Sequence, residues 1–393
     1  MSKRNNDAWK FDTRAIHAEQ EIDAATGAVI TPIYATSTYA QSAPGVHLGL
    51  DYARSHNPTR FAYERAVANL EGGSAGFAFA SGMAASSAVL EVLEAGSHVI
   101  AMNDLYGGTY RLFERVRKHS ANLDFSYVDL NDLAAFEAAI TPKTRMVWLE
   151  TPTNPLLKLV DIAAVAAVAR AHKIIIVVDN TFATPYIQQP LALGADIVVH
   201  SATKYLNGHS DVVGGAVIAA DRADAEALAE WVNVVGVTGA PFDSYLTLRG
   251  LRTLFPRVER QQANAGAVAR FLDGHKLVNA VHYPGLPSHP GHGIAKTQQA
   301  GFGAMLSFEL VGGTEAVQAF VEAIEVFTLA ESLGGVESLI AHPATMTHAK
   351  MGVEARRIAG ISDSLLRLSV GLEAEADLLA GLEAGFAAIS NQR

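Results

Sequence analysis

Short apolar runs rich in β-branched residues recur from residue 77 onwards: Phe77-Ala78-Phe79-Ala80, His98-Val99-Ile100-Ala101-Met102, Met146-Val147-Trp148-Leu149, residues 174–178 and Ile197-Val198-Val199. Helix-like stretches separate several of them, such as residues 162–172, where alanine and valine fall at helical spacing. Uninterrupted apolar strands alternating with helices predict a mostly parallel sheet covered on both faces. We therefore expect one doubly wound α/β domain over residues 55–250.

The flanks read differently. In residues 1–54, Pro32, Tyr34, Tyr39, Pro44 and several glycines interrupt any period, which predicts an extended N-terminal arm. Its apolar positions Val29, Ile30, Ile33 and Tyr34 predict that it lies across another subunit. Beyond residue 250 the pattern mixes. A long helix is expected over 251–272, carrying Arg252, Arg257, Arg260 and Arg270, followed by Gly/Pro/His-rich turns at 284–292. Strands are expected at 304–310 and 365–370. A last helix over 375–389 places Leu378, Leu379, Leu382, Phe386 and Ile389 on one face. Residues 251–393 thus read as a smaller α+β domain. Two domains also suit a chain of 393 residues, which exceeds what one core usually organises. No internal repeat is evident.

Composition narrows the function. With 49% hydrophobic and 18% charged residues the chain fits a large globular protein, part of whose surface a partner subunit covers. A net charge of -10 argues against broad binding to nucleic acid or anionic membranes, and Lys3-Arg4 is too short a basic cluster to alter that. Without cysteine, disulfides and cysteine-ligated zinc are excluded. No apolar stretch suits a signal peptide or approaches the ~20 residues that cross a bilayer, so a cytoplasmic location is expected.

In open α/β sheets, sites form outside the carboxyl ends of the strands. Four such ends carry candidate chemistry. Asp179 directly follows Ile175-Ile176-Val177-Val178, where a carboxylate needs a partner such as a protonated pyridine nitrogen, or else caps the next turn. Lys204 lies four residues past a buried strand in Ser201-Ala202-Thr203-Lys204. Partial desolvation there would free its amine to form an imine, and Ser201 and Thr203 could donate to a phosphate. Ser81-Gly82-Met83 leads a strand into an alanine-rich helix, whose first amides could cradle a phosphate. Tyr106-Gly107-Gly108 places an aromatic where it could lie flat on a ring, or simply pack in a glycine turn.

Taken together with Tyr52-Ala53-Arg54-Ser55-His56-Asn57-Pro58-Thr59-Arg60, residues 201–208 and Arg367-Leu368-Ser369-Val370-Gly371-Leu372-Glu373, these motifs resemble those of the trans-sulfuration family of pyridoxal-phosphate (PLP) enzymes. The resemblance covers nearly the whole chain. It implies the aspartate-aminotransferase-like fold (PLP fold type I), with Lys204 bonding the cofactor as an internal imine and then moving protons. Asp179 would hold the pyridine nitrogen, Tyr106 would stack on the ring and act as an acid, and Asn154 would face the ring oxygen. The amides of Gly82 and Met83, with Ser201 and Thr203, would bind the phosphate. Tyr52 and Arg54 would reach that phosphate from a neighbouring subunit of a homotetramer, placing Tyr52 among the catalytic residues. Arg367, with Ser332 beside it, would grip an amino-acid carboxylate.

Within the family, Gly108 stands where methionine γ-lyases usually carry cysteine. Glu331 matches an acidic position of cystathionine γ-lyases and γ-synthases alike, and Arg111 suits a distal carboxylate in either. Ser55-His56 follow Arg54 where synthases often place a second basic residue. The expected reaction is therefore cleavage of cystathionine at Cγ–S, giving cysteine, 2-oxobutanoate and ammonia, with hydrogen sulfide from side reactions on cysteine. A cystathionine γ-synthase stays open as the alternative, and a non-catalytic PLP-binding scaffold as a weaker one. A nicotinamide site is disfavoured because no Gly-x-Gly-x-x-Gly joins a strand to a helix. A metal site is also disfavoured, because His289-Pro290-Gly291-His292 reads as a loop.

Overall fold

The structure is a computed structural model and describes residues 8–391; Lys3-Arg4 lies outside the described residues. Strands β1 (Ala75–Phe79), β2 (His98–Met102), β3 (Asp124–Val128), β4 (Thr144–Glu150), β5 (Ile175–Asp179), β6 (Ile197–Ser201) and β7 (Gly215–Ala219) form one sheet in the order β1-β7-β6-β5-β4-β2-β3. The run from β6 to β3 is parallel, whereas β7 pairs antiparallel with both β6 and β1. Both faces are buried, as the unbroken apolar runs require. On β6, Ile197 and Val199 enter one hydrophobic cluster while Val198 enters another on the opposite face.

A second sheet follows, with β8 (Val278–His282), β9 (Met305–Leu310), β10 (Thr328–Leu329), β11 (Leu339–Ala341) and β12 (Leu365–Ser369) in the order β10-β11-β12-β9-β8. Its pairs are antiparallel except β10–β11. The cluster that contains Val198 continues through Leu306, Phe308, Leu366 and Leu368. The two sheets therefore share one core, and this fixes the carboxyl ends of β4–β6 against β12.

Several local expectations need correction. In the first sheet two strands escaped the apolar pattern, β3, which alternates polar and apolar residues at a sheet edge, and β7, which is short and flanked by glycine and alanine; in the second, β8, β10 and β11 were not anticipated. The helix expected over 251–272 is present as Leu254–Asp273, and a further helix, Pro241–Leu251, ends just before it at Arg252-Thr253 and was not anticipated. Nor is the arm extended throughout. Phe11–His17 is a helix, with Ala15 in the core and Arg14 donating to the Asn69 carbonyl at 2.8 Å. Its later part is tied to the start of helix Pro58–Glu71 by Thr59 and Asn57, which bond to Pro32 and Tyr34, while Val29 and Leu48 are exposed.

The break near residue 252 serves the loop after β6. Arg257 is buried and donates to the carbonyls of Tyr205 (2.9 Å) and Gly250 (2.8 Å). Helix Pro241–Leu251 rests directly on that loop, because a Cβ on Gly250 would lie 2.3 Å from the Asn207 carbonyl oxygen. Gly250→Ala should therefore cost about 1–3 kcal/mol of unfolding free energy. Urea denaturation of the two proteins measures this, and equal midpoints would refute the close contact.

Candidate active site

Lys204 leaves β6 in a tight turn, its amide bonded to the Ser201 carbonyl at 3.2 Å. Its Nζ donates to Ser332 Oγ at 2.7 Å. Burial, with the Arg367 charge adding to it and Glu331 opposing it, lowers the ammonium to about 8. The free amine is thus far more populated near neutral pH than for an ordinary lysine, though the ammonium still predominates. Ser332 is held in the left-handed region, with φ 93. Such a conformation persists only where the surroundings fix it. Here Arg367 Nη2 donates to its carbonyl at 2.8 Å, and the next turn is tied by Gly334 N to Ser369 Oγ at 2.8 Å and by Gln261 Nε2 to the Gly335 carbonyl at 2.6 Å.

Arg367, in β12, also donates to Asn154 Oδ1 at 2.9 Å, but its Nε has no partner. Burial lowers it to about 10, so it remains a cation at neutral pH. No carboxylate reaches it within ion-pair distance among the described residues. A buried guanidinium without an anion is costly, and a carboxylate-bearing ligand would relieve it.

Two carboxyl groups meet on neighbouring strands, since Glu150 of β4 is in register with Asp179 of β5. Burial, and then the Asp179 charge, push Glu150 well above the usual carboxylate range. Asp179 is also raised by burial, but the Thr181 amide donates to it at 3.0 Å, and this bond together with the His200 charge draws it back. Of the two, Glu150 is pushed the further towards its protonated form, and Asp179 is the one favoured as the anion. Glu150 Oε2 accepts from the Tyr106 amide at 2.7 Å and so fixes the start of the Tyr106 turn. Gly108 lies close under the Tyr106 ring, since an added Cβ would come 2.3 Å from Tyr106 Cε1 and displace it.

At β1, Ser81 caps helix Gly82–Leu90 through Oγ, which accepts from the Ala84 amide at 3.0 Å. The amides of Gly82 and Met83 have no partner among the described residues. Gly82 abuts Ser201, where an added Cβ would come within 2.9 Å of the serine Cβ, so the backbone approaches β6 closely.

These groups converge on a cavity of about 380 Å³, whose lining includes Gly82, Met83, Tyr106, Arg111, Asn154, Asp179, Ser201, Thr203, Lys204, Glu331, Ser332 and Arg367. Thr203 Oγ1 is engaged with Gly214, donating to its carbonyl at 3.3 Å and accepting from its amide at 3.1 Å. Tyr52 and Arg54 do not line the cavity of their own chain. The Arg54 guanidinium bonds to the Asn233 carbonyl and lies 5.8 Å from the Tyr52 ring. Glu150, Thr181 and the rim residues Thr347 and Lys350 also line the cavity and were not anticipated. Glu150 ends an apolar run, so the rule that found Asp179 applies to it too; the segment holding Thr347 and Lys350 has no periodic signal. His289 and His292 bond locally, to the Gly291 amide (3.0 Å) and the Pro284 carbonyl (2.8 Å). No cluster of three metal-ligating side chains, and no helix long and apolar enough to cross a membrane, occurs among the described residues.

The donor set fits pyridoxal phosphate. Two unpaired helix amides face the cavity for a phosphate, a lysine lowered to about 8 for an aldehyde and a buried carboxylate for a ring nitrogen, in a volume typical of cofactor sites. Comparison with known proteins agrees. Residues 12–387 match the family described as Cys/Met metabolism PLP-dependent enzyme. The chain belongs to this family. It is 57% identical over 385 residues to a cystathionine beta-lyase of Coxiella burnetii, covering 98% of this chain and 100% of that one. A cystathionine gamma-lyase from Lactobacillus plantarum, solved with L-serine, superposes with a TM-score of 0.94 at 50% identity, covering 97% and 100% of the two chains. A cystathionine gamma synthase from Xanthomonas oryzae pv. oryzae, solved with cystathionine, gives 0.95 at 49% identity, covering 98% and 100%. The fold is thus the aspartate-aminotransferase-like one, and the protein is a PLP-dependent enzyme of sulfur amino-acid metabolism.

Two outcomes follow from the charges. Covalent capture of pyridoxal phosphate by the cofactor-free protein should rise with pH through about 8 and then level off, as absorbance near the imine band would record. A rise centred near the ordinary lysine value would contradict the desolvated amine. Because Glu150 is pushed the further towards its protonated form, Glu150→Gln should retain cofactor affinity within about twofold. A tenfold loss in a binding titration would show that its charge is needed.

Proposed function

We propose that this enzyme is a cystathionine γ-lyase, cleaving the Cγ–S bond of L-cystathionine with water to give cysteine, 2-oxobutanoate and ammonia. The observation that carries the reading is the arrangement of charge in the cavity, where Arg367 lies deep and Glu331 and Arg111 complete the lining. A substrate with an amino acid at each end would place one carboxylate on Arg367, the distal ammonium on Glu331 and the distal carboxylate on Arg111. Glu331 is near enough to Lys204 and Arg367 to influence the charge of both.

Pyridoxal phosphate, when bound, supplies the electron sink that lets protons leave Cα and Cβ. The amides of Gly82 and Met83 with Ser201 and Thr203 would hold its phosphate, Asp179 its ring nitrogen and Asn154 its ring oxygen. Lys204 would anchor it and, once displaced by the substrate amine, accept the Cα proton and then move a proton from Cβ. Ser332 Oγ, within hydrogen-bond reach of Lys204, steadies the amine between these tasks. Tyr106 would protonate the departing sulfur. Tyr52 and Arg54, held away from their own cavity, would complete the phosphate site of a neighbouring copy within a homotetramer. The same machinery acting on cysteine would release hydrogen sulfide, and the expected setting is cytoplasmic.

A second reading has its own support, since the 57%-identical relative is named a beta-lyase. Cleavage at Cβ–S would yield homocysteine and pyruvate instead. Supplying cystathionine, and separately O-succinylhomoserine with cysteine, distinguishes the outcomes. The γ-lyase yields 2-oxobutanoate from the first; dominant pyruvate, or preferred consumption of the second pair, would overturn the proposal. Glu331→Ala should raise KM for cystathionine about tenfold, roughly 1.4 kcal/mol, while KM for cysteine stays nearly constant.

A further inference from the structure

The motif that begins at Arg367 ends on Glu373, a carboxylate that the mechanism above does not use. Glu373 follows β12 and lies beside residues 330–338, the connection from β10 to β11. Those two strands are parallel neighbours, so their connection must leave the sheet and return. Both ends of it are fixed in the ladder: the Thr328 amide donates to the Ser338 carbonyl and the Ala330 amide to the Ile340 carbonyl, each at 3.0 Å. Its outer part carries Glu331, Ser332 and Leu333, which line the cavity together with Lys204.

Glu373 grips the returning limb of this loop. Its Oε1 accepts from the Ser338 amide at 2.6 Å, and its Oε2 accepts from Ser338 Oγ at 2.8 Å. Ser338 Oγ in turn accepts from the Gly371 amide at 2.8 Å, and the Leu372 amide donates to the Val336 carbonyl at 2.8 Å. Ser338 is fully buried, so removing the carboxylate would leave its amide and hydroxyl hydrogens without an acceptor. Gly371 allows the two segments to lie this close, because a Cβ there would come 2.4 Å from the Val336 carbonyl oxygen. Helix Leu254–Asp273 braces both. Asn264 Nδ2 donates to the carbonyls of Gly371 (3.0 Å) and Glu373 (2.9 Å), while Gln261 holds that of Gly335.

The part of the loop ahead of this grip covers Lys204. Gly334 lies against the amide of Tyr205, the next residue in the chain, and Ser332 Oγ receives the bond from Lys204 Nζ. We propose that Glu373 is a positioning residue that holds loop 330–338 against Lys204, keeping Ser332 on the amine and bulk water off it. The proposal rests on the reading that Lys204 is the amine that takes the cofactor aldehyde, so the test separates the two.

Full-length cofactor-free enzyme is mixed with pyridoxal phosphate over a range of pH, and capture is followed at the imine band. Circular dichroism records the fold and its melting temperature. Burial is the largest cause of the low value of Lys204, so the midpoint of about 8 should rise by about one unit in Glu373→Ala as water enters. The direction is diagnostic, because loss of a negative charge alone would move the midpoint down. Glu373→Gln keeps the side-chain length and one acceptor for the Ser338 amide, and should shift the midpoint by less than about half a unit.

A midpoint that falls or stays put in Glu373→Ala, even with a lower melting temperature, would leave Glu373 a purely structural role and overturn the proposal. An equal rise in Glu373→Gln would also overturn it, since the grip on the Ser338 amide would then not matter. Should Glu373→Ala fail to fold, Ser338→Ala, which removes one hydroxyl from the same grip, decides by the same rise or its absence. Lys204→Ala is the control. If it still captures the cofactor, the reading of Lys204 falls and the proposal with it. If it abolishes capture while Glu373→Ala leaves the midpoint unmoved, only the proposal falls.

Discussion

Charge taken out of water at the carboxyl ends of β4, β5 and β6 is the constraint on which the rest of this molecule depends. Glu150, Asp179 and Lys204 sit there within one buried region, and none can keep its ordinary state unaided. Each resolves the cost differently. Glu150 is pushed towards its protonated form, Asp179 collects the Thr181 amide, and Lys204 moves towards the neutral amine. The divergence of these neighbouring groups gives a single cavity an anion and a nucleophile together.

Such charges work only if the backbone cannot relax around them. The loop bearing Lys204 is pinned from outside by Arg257 and by the close approach of Gly250, and from the opposite wall by the turn at Gly334, where a Cβ would meet the Tyr205 amide nitrogen at 2.8 Å. Arg367 reaches across from the second sheet to Asn154 of the first. The core shared by the two sheets thus bears on the site, because it sets the distance between Arg367 and Lys204.

Much of this was legible in the sequence for one physical reason. Strands buried on both faces must be apolar throughout, so the first polar residue after each run marks a strand end. Asp179, Ser201 and Lys204 were found that way. The same reasoning was silent where burial is one-sided or the apolar run is short, and so β3 and β7 were missed. It was silent too about partnership. Nothing in the spacing of Glu71 and His200, which are 129 residues apart, indicates that they touch. Nor does the sequence pattern indicate that Arg257, in a helix far along the chain, meets the Tyr205 carbonyl.

The relatives raise a final point about where specificity must reside. Proteins named beta-lyase, gamma-lyase and gamma-synthase all match this chain at about half identity or more over nearly its full length. Their reactions differ in which carbon–sulfur bond is broken or made, although one fold serves the lyase and the synthase of known structure. The electron-withdrawing centre built from strand ends is common chemistry and cannot by itself choose between Cβ and Cγ. The difference must therefore come from groups outside that centre, and the charged ones that line this cavity are Arg111, Glu331 and Lys350, with Arg367.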